Sequence, residues 1–274
     1  MAEPSTRKTS GKGASDEDVP LMEFDSEKTA LIEPDLVVTR RDMPRPTVMC
    51  FFSEVIDRIA QRGDAHQVAE LRGAHGLHPI WEIAIRGERL AVYHPGVGAP
   101  LAAMFMEEAI GLGCRAFCAC GGAGAIRPDL ALGHIVVPDA ALRDEGTSYH
   151  YLPAARWVTV DAKGIRIAVQ VLDELGLPHV VGPTWTTDAP YRETRAKIAR
   201  RAAEGCLTVE MEAAAFFAVA RFRNVPFAQL LYAGDNVAGD EWDPRGWPEA
   251  DIREPLFWAA AEIALRLSHE DRSA

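Results

Sequence analysis

Thr208-Val209-Glu210-Met211-Glu212-Ala213-Ala214-Ala215 decides how this chain reads. Its β-branched start suits a strand and its alanine-rich end suits a helix, with carboxylates at the change. After that helix, Phe227 to Tyr232 is a largely apolar run, followed by Ala233-Gly234-Asp235. Such a run fits a strand buried on both faces. Ligands of open α/β sheets sit at the carboxyl ends of buried strands. Glu212 and Asp235 are therefore predicted to share one site, with Glu210 beside them. Two apart on a helix, Glu210 and Glu212 would face different ways. A buried carboxylate must be capped, paired or ligand-bound, because a lone buried charge is costly. A helix N-terminus suits one of them.

Working outward, Thr47 to Phe52 reads as the first buried strand, with Ser53 as N-cap of the next helix. Ile80 to Ile85 and Arg89 to Tyr93 read as neighbouring strands around a turn at Arg86-Gly87. Ala116 to Cys120 reads as a strand opening into a glycine-rich loop, Gly121-Gly122-Ala123-Gly124. Ile135 to Pro138, His179 to Val181 and Pro183 to Thr187 are short strands. Helices are expected over Leu101–Gly111, Ile165–Leu175, Arg192–Ala203, Met211–Arg223 and Leu256–Leu267. The alternation predicts an α/β fold, with a mixed or parallel sheet between helices. Nothing after Pro46 resembles a linker, so residues 47–274 read as one domain. Residues 1–23 are polar, with Gly, Ser and mixed charge, and read as a disordered tail. Residues 24–46 read as a surface-wrapping lead-in, where Pro34, Pro44 and Pro46 bar a long helix.

The 274 residues are 48% hydrophobic and carry a formal charge of −11. An acidic surface argues against nucleic-acid or anionic-membrane binding, both of which need a basic face. The N-terminus has no apolar core of signal-peptide length, and no apolar run approaches the roughly 18 residues of a membrane span. The expectation is a cytoplasmic protein whose five cysteines are reduced thiols.

Gly96-Val97-Gly98 stands where a dinucleotide fingerprint would, but its sixth position is Leu101 and no acidic residue follows at ribose distance. A turn where backbone approaches a ligand is the better reading. Cys114, Cys118 and Cys120 lack the partners of a tetrahedral metal set and read as small core residues. No metal is expected. Arg143 to Tyr151 is a loop dense in functional groups, His150 among them, that reads equally as a solvated loop or a binding loop.

Together these segments resemble the nucleoside phosphorylase superfamily, the family of purine nucleoside and uridine phosphorylases and of methylthioadenosine/S-adenosylhomocysteine nucleosidases. Val209 to Ala214 is similar to its nucleoside-binding signature. Gly121 to Ile126, Arg143 to Ser148 and Thr186 to Ala189 look like further family segments. The resemblance implies a three-layer α/β/α sandwich that cleaves the N-glycosidic bond of a nucleoside, a purine nucleoside favoured. It implies Glu212 and Met211 on the ribose, Asp235 as the acid protonating the leaving base, and Thr186 and Thr187 at the base pocket. Gly96, Gly98, Gly121 and Gly122 would let backbone approach the sugar and nucleophile. It implies a homodimer or homohexamer and no cofactor, with phosphate as a possible co-substrate.

The departures from the family are specific. Phosphorylases carry a Gly-Asp-Pro-x-Arg loop where this chain has Phe51-Phe52-Ser53-Glu54-Val55. They carry an Arg and a Thr where it has Ala119 and Gly122, and many carry an aromatic residue where it has Pro190. Two lost charged hydrogen bonds would weaken phosphate binding about 10²- to 10⁴-fold. The nucleosidase branch uses a Glu after the first strand to activate water, and Glu54 falls at or next to that position. Hydrolysis is therefore expected slightly over phosphorolysis. Phosphorolysis remains open if Arg143, Arg192, Arg45 or another subunit's arginine supplies the anion site, and a non-catalytic nucleoside-binding protein is the third reading.

Overall fold

The computed structural model describes residues 19–74, 76–247 and 251–272. The expected disordered tail lies outside them up to residue 18; Pro20–Met22 forms a short 3-10 turn. The chain then runs through α1 (Pro34–Val37), β1 (Pro46–Cys50), α2 (Ser53–Ala60), β2 (His66–Gly73), β3 (Gly76–Ile85), β4 (Glu88–Tyr93) and α3 (Ala99–Leu112). Next come β5 (Ala116–Ala125), β6 (Ile135–Val137), β7 (Ala140–Asp144), β8 (Trp157–Thr159), α4 (Ala162–Glu174), β9 (His179–Val181) and β10 (Thr184–Thr187). The last elements are α5 (Arg195–Ala203), β11 (Thr208–Glu210), α6 (Ala213–Arg223), β12 (Phe227–Asn236) and α7 (Arg253–Arg272).

The strands form one mixed sheet. One path runs β2-β3-β4-β1-β5-β11-β10-β7-β8, and β12, β6 and β9 branch from β5. Alternate residues of β5 explain the layers. Cys118 and Cys120 point into a core with α2, α4 and α7, whereas Phe117 and Ala119 point into a second core with α3 and α6. Those cysteines are packing residues, as their spacing suggested. All five cysteines are free and buried. The architecture is the expected three-layer sandwich.

β5 departs from the expected strand-plus-loop. Gly121 to Gly124 stay in the strand because β12 pairs beside them in parallel from Phe227 to Ala233, and β11 pairs with Gly124 and Ala125. Glycine weakens an isolated strand, and here two neighbours supply the order. β12 slips register between Ala233 and Asn236, so Asp235 projects from an irregular step at the strand end. Ser53 opens α2 but does not cap it. Phe52 takes the N-cap position, and no side chain bonds the first turn. The lead-in lies along α3 and α6: Arg41 N–H donates to Leu112 O at 2.8 Å, and Arg223 joins Glu33 to buried Glu107. Among the described residues no helix is long and apolar enough to cross a membrane.

Candidate active site

The two signature carboxylates have separate jobs. Glu210 ends β11, and its Oε2 accepts from Glu212 N–H at 2.7 Å and Ala213 N–H at 2.6 Å. It is thus the cap of α6, the position where a carboxylate best meets the helix dipole. Its Oε1 accepts from Thr186 Oγ1 at 2.6 Å, and that same hydroxyl accepts from Ala214 N–H at 2.9 Å. Thr186 and Glu210 therefore lock the start of α6 to β10, rather than offering both hydroxyl and carboxylate to a base. Thr187 is also buried and accepts from Ala189 N–H at 3.3 Å.

Glu212 sits at the helix entry without capping it. Its Oε1 accepts from Gly98 N–H at 2.6 Å, which ties β11 to the β4–α3 turn. Gly96 is obligatory in that turn: φ is +80°, and a Cβ there would come within 2.5 Å of Leu101. Burial pushes the Glu212 carboxyl up to about 8, with Glu210 repulsion adding to it. Burial also lifts Glu210 to about 7, against the three hydrogen bonds that favour its charge.

Asp235 opens into a cavity of about 900 Å³ shared with Met211, Glu210, Gly122 and Glu193. Its Oδ2 accepts from Trp242 Nε1 at 2.6 Å. Ile198, Val209, Val237 and Trp247 give that cavity apolar walls, the usual setting for a planar ligand with few polar anchors. Glu193 is lifted to about 7, by burial first and by the Asp235 charge second. Neither Glu193 nor Trp242 was legible as a site residue. The available signal was an indole in the polar loop Gly239-Asp240-Glu241-Trp242-Asp243, just past a suspected acid.

The expected anion and water groups are placed differently. A Cβ at Gly121 would lie 3.0 Å from Phe51, and one at Gly122 would lie 3.1 Å from the Tyr232 ring. The Tyr232 ring thus packs against Gly122, the position where the resemblance implied a threonine. Glu54 is not a free base: Arg253 Nη1 donates to its Oε1 at 2.7 Å. Arg253 Nε also donates to Tyr232 Oη at 3.2 Å, and its guanidinium lies over Phe52 and Trp247. Arg143 bonds its own loop, donating to Ser148 Oγ, Pro153 O and Leu152 O. Glu145 closes that loop through the N–H groups of Thr147 and Ser148. The polar run is therefore a self-bonded structure and Arg143 part of its frame. Arg192 is exposed on the 3-10 turn Pro190–Arg192 and does not line the Asp235 cavity. His150 is exposed on the 3-10 turn Ser148–His150. No cluster of three or more His, Cys, Asp or Glu suited to a metal occurs among the described residues.

With a carboxylate at each of two strand ends and a cavity between sheet and loop, comparison with known proteins is decisive. The profile of the Phosphorylase superfamily matches residues 47–256. The chain belongs to that superfamily. It is 29% identical over 210 residues to a guanosine phosphorylase of Halorubrum lacusprofundi, covering 76% of this chain and 86% of that one. The crystal structure of a purine nucleoside phosphorylase from Toxoplasma gondii in complex with immucillin-H is similar at TM-score 0.72 and 17% identity. It covers 83% of this chain and 92% of that one. Uridine phosphorylase from Vibrio fischeri ES114 gives TM-score 0.70 at 20% identity, covering 82% and 93%. These structural likenesses carry the fold alone. As a member of the superfamily, the chain is an enzyme of nucleoside metabolism that cleaves an N-glycosidic bond.

Proposed function

We propose that the enzyme is a purine nucleoside phosphorylase, transferring the sugar from base to phosphate. The observation that carries this choice of acceptor is the Glu54–Arg253 pair. Glu54 already gives an oxygen to the Arg253 guanidinium, so that oxygen is not free to take a proton from water. The same pair brings a cation to the β1–α2 turn, where one of the two missing arginines left a deficit. The named relative of similar length is also a phosphorylase. Hydrolysis, favoured on the missing arginines alone, gives way to this reading.

In the proposed reaction Glu212 and Met211 hold the sugar, and Gly98 N–H orients the Glu212 carboxylate. The bond from C1′ to the base nitrogen breaks, and its electron pair leaves with the base. As it departs, the base takes up a proton through Asp235, which relays it from solvent. The sugar is then oxocarbenium-like, and a carboxylate near its hydroxyls stabilises that charge. A phosphate oxygen bonds to C1′, giving a sugar 1-phosphate. A purine is favoured because its imidazole nitrogen can receive the Asp235 proton. Base release that requires phosphate tests the proposal, and release that ignores phosphate refutes it.

A further inference from the structure

We propose that His94 is a positioning residue of the sugar site: its ring, as a hydrogen-bond acceptor, fixes the turn whose Gly98 N–H orients Glu212. This rests on the reading above, in which Glu212 holds the sugar.

His94 directly follows β4, and Pro95 separates it from Gly96. Its Nδ1 accepts from Gly96 N–H at 3.0 Å. A side-chain acceptor that reaches the N–H two residues on closes a turn, as an Asn or Asp side chain does. Pro95 has a fixed φ and no N–H to compete for that acceptor. Gly96 is buried, so losing the ring would leave its N–H unsatisfied at a cost. Two residues further on, Gly98 N–H donates to Glu212 Oε1 at 2.6 Å. The ring thus sets one end of the turn, and Glu212 meets the other.

The ring is itself held in place. Phe51 meets it edge-on, with centroids 5.7 Å apart. Phe51 also leans on Phe216 of α6 and fills the space beside Gly121 of β5. One aromatic pair therefore joins β1, β5 and α6 to the turn. Accepting at Nδ1 requires the neutral ring with its proton on Nε2; a charged ring would set a second donor against Gly96 N–H. Burial is the first cause that holds the His94 ring below its ordinary value, and His78 of β3 adds repulsion, against the Phe51 carbonyl. Phe51 of β1 and Leu101 of α3 bring no charge to this turn, and Glu212 faces its far end. The tie is intact at neutral pH and is lost as pH falls through the His94 value.

The test measures kcat/KM for guanosine and the inhibition constant of free hypoxanthine, with and without phosphate, in the parent, His94→Phe and His94→Asn. Phenylalanine keeps a ring and removes the acceptor. Asparagine puts an oxygen where Nδ1 stands and does not titrate. His94→Phe should lose about 10-fold on guanosine, while hypoxanthine changes less than about 2-fold because it has no sugar for Glu212 to hold. His94→Asn should recover most of that loss at neutral pH. The activity ratio of parent to His94→Asn should then fall below about pH 6, since only the parent loses its acceptor. An unchanged guanosine value in His94→Phe, or equal losses on guanosine and hypoxanthine, overturns the assignment. A ratio that stays flat into acid overturns it too, even where His94→Phe does not fold. Glu212→Gln, run alongside, separates the two levels: full activity there overturns the sugar-binding role of Glu212 and this proposal with it. The expected pattern in a protein that ignores phosphate would sustain His94 and overturn phosphorolysis.

Discussion

Replacing Thr186 with valine should destabilise the protein without creating a cavity, because the two side chains have nearly the same shape. The hydroxyl has two buried partners: it donates to Glu210 Oε1 at 2.6 Å and accepts from Ala214 N–H at 2.9 Å. Thr186 is wholly buried and Glu210 nearly so, so water cannot replace either bond. A hydrogen bond to a charged group is worth about 1.5–3 kcal/mol, and a buried N–H left unsatisfied costs about 1–3 kcal/mol. The two losses share one network and do not add fully, so about 3 kcal/mol is expected. For a domain of this size that lowers Tm by about 6–12 °C. Thermal unfolding followed by circular dichroism measures it, with Thr186→Ser as the control that keeps the hydroxyl. A Thr186→Val protein melting within about 2 °C of the parent would refute the reading of Thr186 and Glu210 as the anchor of α6.

Two further predictions concern the chemistry. Asp235→Asn should lower kcat on purine nucleosides about 10²- to 10⁴-fold with KM nearly unchanged, since an amide cannot give up the proton; steady-state kinetics checks it. Glu212 should release a proton when a nucleoside binds. Burial and Glu210 raise its folded carboxyl to about 8, so the empty site holds that proton at about pH 7. Sugar hydroxyls donating to the carboxylate favour the charged form and lower the value, so binding tightens as pH rises from about 6 to 8. Calorimetry in two buffers of different ionisation enthalpy should show about 0.5–1 proton released per site, abolished in Glu212→Gln.

Much of this site was legible because buried strands and alanine-rich helices announce themselves. β1, β12 and α6 fell within a few residues of expectation, and Asp235 was placed at its strand end by that reading alone. The glycines of β5 were not legible as strand, because their order comes from β12 and β11 rather than from their own propensity. β2 was missed because its alternation is short, with only Ala69 and Leu71 buried in a half-exposed, charged strand. Proximity in sequence misled at Glu54, whose partner Arg253 lies 199 residues away. It misled again at Arg143, whose guanidinium closes on carbonyls nine and ten residues on. The division of labour between Glu210 and Glu212 depends on which carboxylate reaches the α6 N–H groups, a fact of backbone geometry that residue type does not carry.

The phosphate dependence of base release tests the central claim most directly. The enzyme is freed of phosphate in a non-phosphate buffer, supplied with guanosine, and free base and sugar product are followed with and without added phosphate. Phosphorolysis predicts negligible release without phosphate, saturable release with it, and ribose 1-phosphate as the product. Release at the same rate in both conditions, with free ribose as product, would contradict the account and return Glu54 to the role of water's base.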